Sequence, residues 1–444
     1  MPLGRRELAD LLAAALAQAA RLTGRSDRAI LAVSGGPDSL ALLLAAVACR
    51  DSAPPTPTNF HIVTIDHNLR AESAAEARFV AEMAARFGLS HETLRWADPA
   101  RTGNLAAAAR QARYDHLGAA ARRTGATAIL TAHHEDDQFE THLMAAERGA
   151  GVVGLAGMRP VRVLAPDLAL ARPFLAIAGA RLKATVAAHH LPAVDDPTNA
   201  DPAYRRVQIR RQLAAATFDR PVLRARITAH QAQRDAVEAE LSRAMAAMAA
   251  AGDLAVTEAG TVAIGRSALA ALADAPAFLL VQRAVAAVGG RGQRPGGPAT
   301  LRLLDAMRSG TSPTRTLGGI RVATGPTITM AREYGRAGIA PVPVGTGTGP
   351  HLFDGRFMVD PEPDLARAGA RIVAFGDLGR GNAVERTLPA LVAGDTLLAV
   401  PARLGHKVAG GTPPLTIHPF VDWSLYRDLP PPSAGTAGPA RGRR

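Results

Sequence analysis

The stretch Arg28–Ala46 constrains this chain more than any other, because it joins an apolar β-prone run, a glycine-rich turn and an apolar helical run. The turn reads SGGPDS from Ser34 to Ser39. In such a strand–turn–helix unit, backbone N–H groups without intrahelical partners converge at the helix N-terminus, where the helix dipole also favours an anion. Gly35 and Gly36 allow a ligand to approach the backbone closely. The pattern therefore predicts a phosphate-binding loop.

The polar residues of this loop indicate a nucleotide bound together with a metal ion. Ser34 and Ser39 offer hydroxyl groups, whereas the Asp38 carboxylate repels a triphosphate unless Mg²⁺ or a positioned amide lies between them. The loop has neither the lysine of G-x-x-x-x-G-K-S/T nor the spacing of G-x-G-x-x-G. An ordinary strand-to-helix turn is the alternative. We predict that the nucleotide is held by Ser34, Gly35, Gly36, Pro37, Asp38 and Ser39.

Strand-like and helix-like patterns alternate over the first part of the chain. The predicted elements are the strands Ala29–Val33, His61–Asp66, Glu92–Trp96 and Ala128–Ala132 and the helices Ser39–Cys49, Ala74–Phe87 and Leu105–Arg123. This alternation predicts an α/β fold with a parallel sheet and helices on both faces. Ligands bind beyond the carboxyl ends of such strands, which is where Ser34–Ser39, Asp66–Ser73 and His133–Thr141 fall.

The composition of the remaining chain indicates further domains. We place the nucleotide-binding domain at residues 1–216. Residues 217–336 are predicted to hold a helical linker, with a long helix at Arg224–Ala250, and a small α+β domain. Residues 337–430 are predicted to form a second, β-rich domain after a stretch rich in glycine and proline. Residues 431–444, rich in proline, glycine and arginine, are predicted to be disordered.

Charge and cysteine content narrow the class of protein. The single cysteine, Cys49, excludes a disulfide framework and favours a reducing cytoplasm. No apolar run is long enough to span a bilayer, and no N-terminal signal is visible. The net charge of +12 favours a polyanionic partner. Because Lys183 and Lys407 are the only lysines among 51 basic residues, a GC-rich coding background is an alternative source of the charge.

The segment Thr131–Thr141 concentrates two histidines and four acidic residues. If a helix starts near His134, the i, i+4, i+7 spacing puts His133, Asp137 and Glu140 near one face. That face offers ligands for Mg²⁺, for a substrate ammonium group, or for both. The spacing is not H-E-x-x-H, which argues against a zinc hydrolase. An acid-rich first turn that only complements the helix dipole is the alternative.

These motifs resemble those of a known family. The glycine loop resembles the SGGxDS loop of the PP-loop ATP pyrophosphatases, which cleave ATP between the α and β phosphates. The acidic segment resembles the HHxDDQxET block of the tRNA(Ile)-lysidine synthases. Between about Ala29 and Leu213 further segments resemble that family's motifs in the same order: Asp66–Ser73, Asn104 with Ala109–Tyr114, Glu147–Gly149, Gly154–Met158, Arg172–Leu175 and Asp196–Asn199.

The resemblance implies a PP-loop fold, also described as adenine nucleotide α-hydrolase-like, and a ligase that uses ATP and Mg²⁺. The C2 carbonyl oxygen of the wobble cytidine, in tRNA(Ile) with a CAU anticodon, attacks the α-phosphate of ATP and releases pyrophosphate. The ε-amine of L-lysine then attacks C2 and expels AMP, which leaves lysidine. The resemblance also implies a cytoplasmic enzyme with no membrane partner that forms a homodimer.

Carried over residue by residue, the resemblance implies a site. Its catalytic residues are Asp38, His133, Asp137, Glu140 and Arg206, and Asp38 and Asp137 are its candidate metal ligands. His133 would donate a hydrogen bond to the α-phosphate, and Glu140 or Asp137 would hold the lysine ammonium group and help to deprotonate it. Contacts with tRNA are predicted for Arg113, Arg205, Arg210, Arg224 and Arg226.

Two features leave part of this site open. Seven arginines lie between Tyr204 and Arg226, and they are either phosphate contacts with tRNA or a solvated face enriched by base composition. The chain also departs from the family at Val207, where an asparagine is usual, and lacks the aromatic residue that commonly precedes the block at Asp196. Both departures put local contacts with tRNA or the nucleotide in doubt.

Two other functions stay open on the sequence. One is a different PP-loop enzyme, such as a tRNA thiolase or an amidating synthetase, although the lone cysteine and the lack of a glutaminase domain argue against both. The other is an RNA-binding protein with an inactive nucleotide fold. Asp38 and the acidic segment argue against it, because binding alone requires no acids beside a phosphate loop. Pyrophosphate release from ATP discriminates between these functions.

Overall fold

The computed structural model describes residues 1–52, 58–68, 72–96, 105–194, 205–215, 218–290, 294–310, 314–344, 350–366, 369–407 and 412–431. The chain divides into two compact units, Met1–Ala232 and the part from Gln233 onward. Three predicted motif segments (Leu69–Ala71, Asn104 and Asp196–Asn199) and the predicted disordered tail beyond residue 431 lie outside the described residues. The domain boundaries at residues 216, 336 and 430 stay predictions.

The first unit is built on one sheet. Its strands are β1 (Arg28–Ala32), β2 (Asn59–Asp66), β3 (Ser90–Arg95), β4 (Ala128–Leu130), β5 (Val161–Ala165) and β6 (Leu168–Ala171). They lie in the order β3-β2-β1-β4-β6-β5, with every neighbouring pair parallel except β5 and β6. Its helices are α1 (Arg5–Thr23), α2 (Pro37–Arg50), α3 (Ser73–Arg86), α4 (Leu105–Thr124), α5 (Glu135–Glu147), α6 (Val152–Leu155), α7 (Gly179–Ala188) and α8 (Arg205–Ala214).

Helices cover both faces of this sheet, as predicted. Successive side chains of a strand point to opposite faces. Leu31 accordingly packs in the core that α1, α2 and α7 share, whereas Ile30 packs against Leu117 of α4 on the other face. Because β1 is buried on both sides after the exposed Arg28, its sequence is continuously apolar from Ala29 onward, and this made the strand easy to predict.

The β5–β6 hairpin was not predicted. Strand β6 is completely buried, but β5 is only partly so and has a register irregularity between Val163 and Ala165. Such a short, irregular edge strand leaves little alternation in the sequence. The hairpin matters for the site because Thr131, just after β4, donates its backbone N–H to the carbonyl of Ala171 in β6 at 3.1 Å.

The second unit is rich in strands, as predicted for the C-terminal part. Its elements are β7 (Leu254–Val256), β8 (Val262–Gly265), α10 (Arg266–Ala271), α11 (Asp274–Val288), α12 (Gly297–Ser309), β9 (Thr314–Leu317), β10 (Ile320–Ala323), β11 (Thr327–Arg332), β12 (Val342–Pro343), β13 (His351–Phe353), β14 (Phe357–Asp360), β15 (Ala370–Ala374), β16 (Pro389–Ala393), β17 (Thr396–Ala399), β18 (Thr416–Pro419) and α13 (Val421–Tyr426). They form sheets ordered β7-β8-β11-β10-β9, β12-β15-β16-β17 and β13-β14-β18. Short 3-10 helices lie at Phe375–Leu378, Glu385–Thr387 and Ala402–Lys407.

A single long helix, α9 (Arg220–Ala250), runs through the boundary between the units. It begins one turn earlier than the predicted Arg224 and ends at the predicted residue. Among the described residues, no helix combines the length and the apolar character needed to cross a bilayer.

Candidate active site

The glycine loop between β1 and α2 has a backbone that only glycine tolerates at one position. Gly35 has φ +86°, in the left-handed region, and a Cβ there would lie 2.9 Å from Cγ2 of Val194. The carbonyl of Gly35 also accepts the backbone N–H of Val194 at 3.0 Å. A side chain at position 35 would therefore collide with Val194 and strain the left-handed backbone, which explains why the residue is glycine.

The two loop serines have different roles. The Ser39 hydroxyl donates to the carbonyl of Gly36 at 2.9 Å and accepts the backbone N–H of Ser34 at 3.1 Å. These bonds hold the loop closed across the start of α2. The Ser34 side chain is exposed, with its hydroxyl 3.4 Å from that of Ser39. Ser39 thus shapes the loop, and Ser34 is the better placed to meet a ligand.

Helix α2 begins with a proline and directs Asp38 toward α5. Gly36 is the residue before the helix and makes no side-chain cap, while Pro37 supplies a fixed φ at the first helical position. The N–H groups of Asp38 and Ser39 fall in the first turn, where an α-helix offers no internal acceptor. Oδ1 of Asp38 is buried and has no hydrogen-bond partner among the described residues. A buried, unsatisfied carboxylate oxygen at a helix N-terminus is suited to a cationic or protonated ligand.

Helix α5 starts with a reciprocal cap between His134 and Asp137. His134 Nδ1 accepts the backbone N–H of Asp136 at 3.2 Å, and Asp137 Oδ2 accepts the backbone N–H of His134 at 3.0 Å. The same imidazole brings its Nε2 to 3.4 Å from Asp38 Oδ2 and 3.7 Å from Asp137 Oδ2. Sequence reasoning missed His134, although an acid three residues after a polar residue is the signal for such a cap.

Neighbouring charged groups shift the pKa values of His134 and Asp137 in opposite directions. Burial by itself lowers the pKa of His134, but the carboxylates of Asp38, Asp137 and Asp136 outweigh it and raise the pKa. Burial raises the pKa of Asp137, but His134, His133 and Arg206 together hold it below its usual range. Asp137 is therefore an ionised carboxylate at neutral pH.

His133 lies outside helix α5, which corrects the predicted helical face of His133, Asp137 and Glu140. The helix begins at Glu135, and His133 belongs to the segment that leaves β4. Its Nδ1 lies 2.8 Å from the Thr131 hydroxyl. Burial, assisted by nearby arginines such as Arg172, lowers the pKa of His133 to about 3. His133 is consequently a neutral hydrogen-bonding group near the site at physiological pH.

Glu140 is completely buried and already paired with two arginines of α8. Arg210 Nε donates to Oε1 of Glu140 at 2.8 Å, and Arg206 Nε forms an ion pair with Oε2 at 3.0 Å. Burial raises the pKa of Glu140 in spite of the hydrogen bond from Arg210. The arginines themselves are more than one third exposed, so their outer faces remain accessible.

The seven arginines between Tyr204 and Arg226, here called the arginine strip, are largely paired with acids of α5. Glu135, only 8% exposed, accepts from Arg224 Nε at 2.7 Å and from Arg220 at 3.3 Å. The ion pairs between the strip and α5 are Arg205–Glu147, Arg206–Glu140, Arg210–Glu140, Arg220–Glu135, Arg220–Asp136 and Arg224–Glu135. Arg226 is exposed. Neither interpretation of the strip included these internal ion pairs.

Arg113 lies near the end of β2. Its guanidinium is 3.3 Å from Nε2 of His67, whose ring packs edge-on against Trp96. Burial, with a contribution from Arg113, lowers the pKa of His67 to about 4. The predicted tRNA contact of Arg113 stays a prediction.

No group of three or more His, Cys, Asp or Glu side chains suited to a metal ion occurs in the part of the chain that the structure describes. Mg²⁺ commonly takes only one or two protein carboxylates and completes its octahedron with water and substrate phosphates. Asp38 and Asp137 fit that mode of binding.

Comparisons with known proteins show the family to which the chain belongs. The sequence model of the PP-loop domain family matches residues 8–217. The tRNA(Ile)-lysidine synthase of Methylobacterium nodulans is 41% identical over 309 residues, covering 67% of this chain and 87% of the relative. The protein of the same name from Ruegeria pomeroyi is 35% identical over 386 residues, covering 84% of this chain and 87% of the relative. Among solved structures, a tRNA thiolase from Methanococcus maripaludis has a TM-score of 0.39 at 12% identity, covering 50% of this chain and 80% of the thiolase.

Proposed function

Since the chain belongs to the tRNA(Ile)-lysidine synthase family of ATP-dependent ligases, we propose that it joins L-lysine to C2 of the wobble cytidine in tRNA(Ile) with a CAU anticodon. The observation that carries the proposal is the meeting of the glycine loop with the acidic segment, where Asp38 and His134 lie 3.4 Å apart. The loop that we propose to bind phosphate therefore lies beside the acidic residues at the start of α5. ATP and tRNA are the substrates that this family membership supports.

In the first step, the loop would hold the phosphates of ATP while the cytidine C2 oxygen attacks the α-phosphate. The first-turn N–H groups of α2 and the exposed Ser34 hydroxyl are the donors available to phosphate oxygens. His133 would add a hydrogen bond without a charge, because its pKa of about 3 keeps the ring neutral. In-line displacement depends mainly on such positioning and charge stabilisation.

Mg²⁺ is proposed as the metal that accompanies ATP. Asp38 would be its main ligand through the buried Oδ1 that has no partner among the described residues, and Asp137 is the second candidate. A bound Mg²⁺ would neutralise charge on the phosphates as pyrophosphate leaves. The carboxylates of Asp38 and Asp137 would place negative charge close to the backbone N–H groups of the glycine loop.

In the second step, the lysine ε-amine would attack C2 and AMP would depart. Asp137 is the better candidate for holding the ammonium group, because its carboxylate is ionised and Glu140 is already paired with Arg206 and Arg210. One of the two acids must also help to remove a proton, since a protonated amine has no lone pair. The accessible faces of Arg206 and Arg210 are suited to the phosphate of the departing AMP.

The test is pyrophosphate release from ATP and Mg²⁺, with and without tRNA(Ile) carrying a CAU anticodon, and lysine incorporation into that tRNA. We expect release to require the tRNA and incorporation to require lysine. Asp38→Ala should reduce release at least 100-fold, about 3 kcal/mol of transition-state stabilisation, with tRNA binding preserved.

The matched control is Asp10→Ala, which removes an exposed carboxylate from α1 and should leave turnover unchanged. Normal turnover in Asp38→Ala would reject the proposed site. Release with a different acceptor would retain the ATP chemistry and reject the substrate. Absence of release under every condition would favour a binding protein. Light scattering would test the proposed homodimer, and cell fractionation would test the proposed cytoplasmic location.

A further inference from the structure

The two ring nitrogens of His134 lie in different polar surroundings. Nδ1 accepts the backbone N–H of Asp136, which is the cap of helix α5, and lies 3.7 Å from Asp136 Oδ2. A nitrogen that accepts carries no proton, so the proton of the neutral ring is on Nε2. This Nε2–H faces Oδ2 of Asp38 at 3.4 Å and Oδ2 of Asp137 at 3.7 Å. The cap thus determines which nitrogen donates toward the carboxylates.

The two oxygens of Asp38 are in different environments. Oδ2 faces the His134 ring, whereas Oδ1 is buried without a hydrogen-bond partner among the described residues. A carboxylate held at one oxygen presents the other in a defined direction. Carboxylates that bind metals are usually supported in this way by a second group, and loss of the supporting group typically weakens metal binding or activity about 10–100-fold.

We propose that His134 is a positioning residue, which orients Asp38 so that Oδ1 points toward the metal–nucleotide ligand. This inference rests on the proposed function, because it requires Asp38 to bind the metal that accompanies ATP. His134 also links the two segments that form the site, since Asp38 belongs to α2 and the ring is held by the cap of α5. A role limited to capping is the competing explanation.

Two substitutions separate these roles. The side-chain oxygen of asparagine lies where Nδ1 lies in histidine, so His134→Asn retains an acceptor for the Asp136 N–H and loses the group that faces Asp38. The side-chain nitrogen of glutamine reaches about as far as Nε2, so His134→Gln retains a donor toward Asp38 and weakens the cap. Asparagine is among the best N-cap residues, so His134→Asn should melt close to the wild type.

The experiment measures binding of α,β-methylene-ATP by calorimetry, with and without Mg²⁺, together with the melting temperature of each ligand-free protein. We expect His134→Asn to weaken Mg²⁺-dependent binding about 10–100-fold at a nearly unchanged melting temperature. His134→Gln should bind more tightly than His134→Asn and melt at a lower temperature. Wild-type affinity in His134→Asn would overturn the inference. It would also be overturned if the variant with the lower melting temperature were the one that binds the nucleotide more weakly, because that result indicates a role limited to capping.

A double-mutant cycle with Asp38→Asn tests whether His134 acts through Asp38. If it does, adding His134→Asn to Asp38→Asn should change affinity less than about twofold, because the orientation of the metal ligand no longer matters. Fully additive losses of affinity would overturn this inference but would leave the proposed metal site intact. Wild-type affinity in Asp38→Asn would instead reject Asp38 as a metal ligand, and with it both the proposed metal site and this inference.

Discussion

At the residue scale, Gly35 has both of the features that exclude a side chain. Its φ is +86°, and an added Cβ would contact Val194 Cγ2 at 2.9 Å. We expect Gly35→Ala to lower the free energy of unfolding by more than the 1–2 kcal/mol that left-handed backbone costs an L-residue, about 3 kcal/mol in all. ATP binding should be lost because the loop must shift. Urea denaturation and nucleotide titration measure the two effects.

The matched control is Gly24→Ala at the end of α1. Gly24 has nearly the same φ, +85°, but an added Cβ would meet nothing within 4 Å. Gly24→Ala should therefore lower the free energy of unfolding by only about 1–2 kcal/mol and leave ATP binding intact. Equal losses of stability in the two variants, with nucleotide binding retained in both, would contradict the steric argument for Gly35.

His67 gives the first unit a dependence on pH. Its pKa is about 4 in the folded protein and about 6.5 in an unfolded chain, so the unfolded state binds more protons between these values. The stabilisation by the neutral ring is complete above pH 6.5 and is lost as the pH falls toward 4. The two pKa values correspond to about 2 kcal/mol between pH 7 and 5, but the ring is only partly buried and solvent screens its charge. We therefore expect His67→Asn to reduce the loss of unfolding free energy over this range by about 1 kcal/mol.

Urea denaturation at both pH values measures this difference. His189→Asn is the control, because His189 is exposed at the end of α7 and should leave the pH dependence unchanged. A wild-type pH dependence in His67→Asn would show that His67 is not the group responsible.

At the element scale, the first turn of α5 is held from outside by α9. Glu135 is 8% exposed and pairs with Arg224 at 2.6 Å and with Arg220 at 3.3 Å. Arg224→Ala leaves this carboxylate with one partner. Because Arg224 is itself 56% exposed, we expect solvent to limit the loss of unfolding free energy to about 1 kcal/mol. Thermal and urea denaturation check the value.

Arg226→Ala is the control for this ion pair. Arg226 lies on the same helix and is exposed, so its removal should change the unfolding free energy by less than about 0.5 kcal/mol. If both variants lose the same stability, the Arg224–Glu135 pair contributes nothing particular to the attachment of α9.

At the scale of the whole molecule, the number of arginines between Tyr204 and Arg226 overstates the basic surface that this strip offers to RNA. Five arginines of the strip between Tyr204 and Arg226 pair with acids of α5, namely Arg205, Arg206, Arg210, Arg220 and Arg224. Of the two predicted tRNA contacts of α9, Arg224 pairs with Glu135, whereas Arg226 is exposed and makes no ion pair with an acid of α5 among the described residues. We expect Arg226→Ala to weaken tRNA binding and to reduce the slope of log K against log salt by about 1.

Filter binding across a range of salt concentrations measures that slope. Arg78→Ala removes the same charge from the exposed face of α3 and should leave the slope unchanged. Equal changes in both variants would indicate a general effect of net charge. An unchanged slope in Arg226→Ala would favour a solvated arginine face.

Local features were predictable because their causes are local. The run of apolar residues in β1, the glycines of Ser34–Ser39 and the apolar helix that follows predict a strand, a loop and a helix from chain stereochemistry alone. The order of these elements also predicts the parallel sheet and the edge at which Asp38 and Asp137 lie. The β5–β6 hairpin was missed, because a short, irregular edge strand leaves no strong periodic pattern. The expected start of α5 near His134 agrees with the cap at that residue, but His133 lies outside the helix.

The glycine loop, the α/β architecture and the family could be inferred from the residues alone, since each depends on residues close together in the chain. The partners of the charged residues became known only from the packed fold. The fold pairs Glu140 with Arg206 and with Arg210, the second of which is 70 positions away in the sequence. It also brings His134 to Asp38 and Arg224 to Glu135. The strength of an ion pair depends on distance and burial, which exist only once the helices have packed.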